Sequence, residues 1–133
     1  VIAIIGCGAR KLDRPAPARE LYVGSYFQAC SRAAEAIAPG RWFILSAKHG
    51  LLRPGDEIEP YDLTLGQPGS VTAQQATWQA LTCGIWFEPV TALCGSRYAD
   101  LARQVWPQVE VPLAGLGIGR QLQALARIAA GRA

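Results

Sequence analysis

Apolar residues come along this chain in short blocks, and the blocks alternate between two periodicities. Val1-Ile2-Ala3-Ile4-Ile5 is an unbroken, mostly β-branched run, the pattern of a strand covered on both faces. Arg41 to Ala47 and Val90 to Cys94 predict two more strands, and Val109 to Ala114 a fourth. From about Leu21 to Ala38, Phe27, Cys30, Ala34 and Ile37 recur at helical spacing until Pro39-Gly40 stops the helix. Ser70 or Thr72 is placed to cap a helix running to about Trp86, and Ser96 to cap one through Trp106. A last helix is expected from Gly119 to about Ala130. Residues 8 to 20 read as a loop, because Gly8, Pro15 and Pro17 exclude a helix. Residues 54 to 69 form a second loop, punctuated by Pro54, Gly55, Pro60, Gly66 and Pro68.

Strands alternating with helices predict one α/β domain over residues 1–133. It has three layers: a mainly parallel, roughly four-stranded sheet with helices on both faces. In such folds the ligand lies outside the carboxyl ends of the strands. Those ends are here Gly6-Cys7-Gly8, Ser46-Ala47-Lys48-His49-Gly50, Gly95-Ser96-Arg97 and Gly115-Leu116-Gly117-Ile118-Gly119-Arg120. Cys7, Ser46, His49, Gly95 and Gly117 are therefore expected to line one cleft, with residues 15–22 at its rim.

Composition narrows the class. Half of the 133 residues are hydrophobic and 17% are charged, a globular balance, and the net charge of +3 suits nucleic acid or a phosphorylated ligand. The longest apolar run is too short to span a bilayer, so no membrane partner is expected. The first residues lack the features of a signal peptide and read as a core strand, which predicts a cytoplasmic protein. Cysteines stand at 7, 30, 83 and 94 without a chelating pair, and histidine is too scarce to complete a zinc site. Neither a structural metal nor a disulfide is expected. Cys30, Cys83 and Cys94 read as buried small hydrophobes, whereas Cys7, between two glycines at a strand end, is a candidate to line a site.

The candidate chemistry centres on His49, the chain's only histidine, beside Lys48 where a buried strand ends. A turn alone is served by Asn-Gly; an imidazole adds a group that titrates near neutral pH. Ser46 sits three residues from His49 on the same strand end, poor geometry for a serine–histidine pair, and no nucleophile elbow is present. Tyr61-Asp62, stiffened by Pro60, offers an aromatic–carboxylate pair if the long loop folds back over His49. Gly115 to Gln121 follows a strand and opens a helix, as a phosphate-binding turn does, with Arg120 and Gln121 placed to assist. It is not the dinucleotide fingerprint, since Arg120 fills the third glycine's slot and no ribose-binding acid follows. Residues 15–22 present Arg19, Glu20 and Tyr22 near a helix start.

The segments CGARKLD, PAPARELYVGSYF, ILSAKHGLL, EPYDLTLG and GLGIGRQL, in that order, resemble a group of small bacterial and phage domains. They look like a compact relative of the YaaA peroxide-stress family over about residues 2 to 105. That resemblance implies a link to DNA and to its protection under oxidative stress, without a settled reaction. Where YaaA relatives tend to have Tyr and Arg, this chain has His49 and Asp62, so chemistry at those positions would be its own.

Two functional readings follow. In the first, the protein is an enzyme acting on a nucleobase or its N-glycosidic bond, in DNA, RNA or a nucleotide. Cleavage puts positive charge on the sugar and negative charge on the departing base. Asp62 serves the sugar or orients water, His49 or Lys48 stabilises the base, and Tyr61 stacks on it. Cys7, Lys11, Glu20, Tyr22, Ser46, Gly117, Gly119, Arg120 and Gln121 complete the candidate binding set, and the chemistry calls for no metal or redox cofactor. In the second, the protein only binds DNA or a nucleotide, with Arg10, Lys11, Arg14, Arg19, Lys48, Arg53, Arg97 and Arg120 contacting phosphate. The base, the type of nucleic acid and the oligomeric state stay open at this level.

Overall fold

The computed structural model describes residues 1–131. Three parallel strands, β1 (Ile2–Gly6), β3 (Trp42–Ser46) and β6 (Val90–Leu93), make up most of a four-stranded sheet, with β1 between the other two. An antiparallel edge strand, β4 (Gly50–Leu52), completes the order β4-β3-β1-β6. The period of two along each strand divides the core. Ala3, Ile5, Ile44 and Leu93 face α2 (Ser25–Ile37) and α5 (Ile118–Ala129), while Ile2, Ile4, Phe43, Leu45 and Ala92 face α3 (Ala73–Thr82) and α4 (Ser96–Val105). Both faces of β1 and β3 are therefore buried, which is why those strands read as continuous apolar runs.

The fourth strand is not the expected one. Val109 to Ala114 is reduced to one parallel bridge, Glu110 to Thr91, in which the Glu110 N–H donates to the Val90 carbonyl and the Glu110 carbonyl accepts from the Ala92 N–H. Pro112 has no N–H to extend the ladder, and residues 112–115 turn away. The sheet gains β4 instead, because the chain reverses at Ala47-Lys48-His49 and pairs back on β3.

Other boundaries shift for local reasons. The expected helix from Leu21 is split into α1 (Ala18–Leu21) and α2, since Tyr22 and Gly24 adopt extended backbone between them. Both loops carry a short strand: β2 (Ala16–Pro17) pairs antiparallel with β5 (Glu57–Ile58). Proline is tolerated there because the pair is an isolated ribbon, not a sheet centre. Thr72 is the cap of α3, in a capping box with Gln75, and α3 ends at Thr82, short of Trp86. Ser96 is the first residue of α4 and Gly95 its cap, without a side-chain hydrogen bond.

Gly50 makes the hairpin possible. Its φ of 72° lies in the left-handed region, and a Cβ there would fall onto the Gln79 carboxamide. That carboxamide ties α3 to the turn, accepting from the Leu51 N–H at 2.8 Å and donating to the His49 carbonyl at 2.9 Å. Gly50→Ala is expected to cost about 1–2 kcal/mol from the left-handed strain, read as a lowered urea midpoint. An unchanged midpoint would show that the turn relaxes freely.

A candidate site around Tyr61

Tyr61 stands at the centre of the carboxyl edge of the sheet. The long loop is pinned at both ends, by β5 on β2 and by the Val71 N–H on the Ala47 carbonyl at 2.7 Å. It therefore folds back over β3, as the Pro60-Tyr61 segment suggested. The Tyr61 hydroxyl meets Ser46 Oγ at 2.8 Å and the Tyr22 hydroxyl at 2.7 Å.

Ser46 is fully buried, and its position fixes the direction of this chain. Its Oγ accepts from the backbone N–H groups of Lys48 (3.2 Å) and His49 (3.1 Å), which occupies both lone pairs. Its own hydrogen is then given to Tyr61, and Tyr61 gives its hydrogen to Tyr22. The Tyr22 hydrogen is the outgoing end of this chain. Cys7 Sγ lies 2.9 Å from the Tyr98 hydroxyl, contributed by α4. Burial pushes the Tyr22 phenol up to about 12 and raises Tyr61 and Tyr98 above the ordinary tyrosine value. Burial thus favours the neutral hydroxyl in all three, which suits hydrogen bonding.

Cations gather on the other side of the ring. Lys11 Nζ lies 4.4 Å from the Tyr61 centroid and Lys48 Nζ 5.9 Å. Neither lysine has a carboxylate partner among the described residues. The His49 ring packs edge-on against Tyr61 at 5.5 Å. Partial burial lowers its pKa from 6.5, and the neighbouring Lys48 charge lowers it further. His49 is thus a neutral imidazole at neutral pH, able to accept a proton or donate a hydrogen bond.

A cavity of about 350 Å³ opens beside Cys7, lined by Gly6–Arg10 and by Gly24–Phe27 at the start of α2. Neither α2 nor α5 has a side-chain cap hydrogen bond at its first turn. The two helix starts are joined by the Tyr26 hydroxyl donating to Gln121 Oε1 at 2.5 Å.

The sequence-derived candidates divide accordingly. Lys11, Tyr22, Ser46, Lys48, His49 and Tyr61 are linked through one set of contacts, and Cys7 packs against the core cluster that contains Tyr22. Gly117 caps α5 and is linked to this edge through Tyr26 and Gln121; Gly119 and Arg120 are exposed in its first turn. Gln121 is committed to the scaffold, since its amide nitrogen also donates to the Leu116 carbonyl at 2.9 Å. Glu20 is exposed on α1 and ion-paired with Arg19. Asp62 is exposed and, among the described residues, makes no hydrogen bond or ion pair. One face of the Tyr61 ring, on which a base is expected to stack, carries the Lys11 ammonium.

Tyr98 is the residue that sequence reasoning missed. Its signal was Gly6: a Cβ there would come within 2.9 Å of the Tyr98 ring, so the glycine before Cys7 makes room for it. The four cysteines are free thiols, and burial pushes Cys30 and Cys94 up to about 12. No three metal-ligating side chains cluster among the described residues, and no described helix is long and apolar enough to cross a membrane.

Over residues 2–127 the chain matches a family described as a family of unknown function, DUF6884. Uncharacterized protein YfjM of Bacillus subtilis (strain 168) is 35% identical over 140 aligned positions, 95% of this chain and 93% of that protein. A UPF0246 protein of Salinispora tropica is 41% identical over 59 residues, covering 41% of this chain and 22% of that protein. The second similarity is the partial, weak one to the YaaA family.

Proposed function

The chain belongs to the DUF6884 family, and from that premise we propose that it is a cytoplasmic protein acting on a nucleobase or its N-glycosidic bond, in nucleic acid or a nucleotide. The observation that carries this reading is the pair of lysines over the Tyr61 ring, neither with a carboxylate partner among the described residues, beside a histidine whose pKa is lowered. Such a site attracts phosphate and stabilises negative charge that develops on a ring nitrogen.

In the proposed hydrolysis the bond from the sugar carbon to the base nitrogen breaks, and its electron pair leaves with the base. Lys48 and Lys11 stabilise that charge, and the hydroxyl chain through Tyr61 holds the lysine-bearing loops in place. A water oxygen bonds to the sugar carbon. Its proton passes to Asp62 or His49, and the departing base takes a proton from solvent or lysine.

The binding-only reading, a DNA- or nucleotide-binding protein of the YaaA type acting in DNA protection, is favoured by one fact. Asp62 makes no hydrogen bond or ion pair with His49. Incubating the purified protein with modified and unmodified DNA and with nucleotides, then measuring free bases by mass spectrometry, separates the two. Release of one class of base is expected. Tight, salt-sensitive binding with no base released would leave the binding reading in its place.

A further inference from the structure

Trp78 is the largest side chain that the fold leaves without a partner. It stands on α3 with 67% of its surface exposed, while Ala76 and Ala80 on the same helix are fully buried. One side of it lines a hollow of about 260 Å³ together with Lys48, His49, Val71, Gln75 and Gln79. Another side lines a shallow hollow with Gln74, Gln75, Thr77 and Leu81. No carboxylate lines either hollow, and α3 carries no charged residue at all.

We infer that Trp78 is a stacking platform for a second base, so that the ligand is a single strand rather than an isolated nucleotide. This rests on the nucleobase-directed reading above. Three features converge on it. The first is an exposed indole, a sequence-tolerant surface for a base. The second is Lys48, which lines the same hollow and brings a positive charge for a phosphate. The third is rigidity. Gln79, the next residue on α3, holds the His49 carbonyl and the Leu51 N–H, so Trp78 and His49 keep a fixed relation. His49 in turn packs against Tyr61. The hairpin turn thus joins two lobes: one at Tyr61 for the base acted upon, and one at Trp78 for its neighbour. Since Lys11 covers a face of Tyr61, the open stacking surface belongs to the second lobe. A protein partner fits less well. Trp78 and Leu81 are the exposed large apolar residues of this face, few against the roughly 20–30 residues a side of a stable interface.

The test compares the parent with Trp78→Ala and Trp78→Phe. Each is titrated against a labelled single-stranded DNA of about 12 nucleotides and against mononucleotides by calorimetry. Trp78→Ala is expected to weaken strand binding by about tenfold and to leave mononucleotide binding unchanged, with Trp78→Phe close to the parent. Equal strand affinity for parent and Trp78→Ala overturns the inference while leaving the nucleobase reading intact. A change in self-association by ultracentrifugation, without a change in strand affinity, also overturns it in favour of a second copy of this chain. A parent that binds neither strand nor mononucleotide overturns the underlying reading itself.

Discussion

Replacing Ser46 by alanine lowers the stability of the protein by about 2–4 kcal/mol, the largest loss expected from any single polar deletion here. Ser46 is the buried polar residue of the sheet, and one oxygen serves three partners. Alanine leaves the N–H groups of Lys48 and His49 and the oxygen of Tyr61 without their partner, on the side that faces the fully buried Ser46 position. Unsatisfied buried groups cost more than the net value of the bonds they lose. The expected fall in melting temperature is on the order of 10 °C, with little change in the urea m-value. Ser46→Cys, similar in volume but a weak acceptor, should fall between parent and alanine. A loss below about 1 kcal/mol for alanine would mean that the turn and the long loop are held by packing, and that the directed hydroxyl chain is incidental.

His49→Gln is expected to cut turnover by about a hundredfold or more while the fold and ligand binding survive. Glutamine preserves a hydrogen-bonding side chain and cannot titrate. The pH profile gives the sharper signature. Partial burial, then the Lys48 charge, lowers the imidazole pKa from 6.5, so the neutral ring is the working form at pH 7. The rate should be level through neutral pH and fall only as the pH drops through that lowered value, and the glutamine variant should lack this limb. The unfolded chain takes up the proton more readily than the folded one. The ring's contribution to stability is therefore present above its unfolded pKa and lost as pH falls. Asp62→Asn is the companion substitution, with a comparable loss of turnover expected. If both variants turn over at the parent rate, histidine and aspartate belong to the scaffold and the binding reading prevails.

The layered α/β architecture was legible because strand and helix periods are local properties. Val1 to Ile5 and Trp42 to Ser46 are covered on both faces, so their composition alone declares them. The edge strand β4 was not legible. Gly50-Leu51-Leu52 is too short to show alternation, and its pairing with β3 depends on Gln79, about thirty residues away, holding the turn. Val109 to Ala114 failed the other way: it has strand composition, but proline withholds the donor that a second rung needs.

The candidate site divides along the same line. The sequence by itself determined which residues stand at the carboxyl ends of the strands, because a parallel sheet sends every crossover out of one edge. Cys7, Ser46 and His49 were readable on that ground. Only the tertiary structure decided which of them meet. Tyr61 reaches Ser46 and Tyr22, across 15 and 39 residues of sequence, because β2 and β5 zip two loops together. Tyr98 reaches Cys7 across 91 residues because Gly6 leaves room for its ring. Asp62, next to Tyr61 in sequence, is exposed instead, since the hydroxyl chain fixes the tyrosine and leaves its neighbour to solvent. Periodicity records which face of an element is buried. It carries no term for which side chains from distant loops share a hydrogen, and that pairing is set by how the whole chain closes on itself.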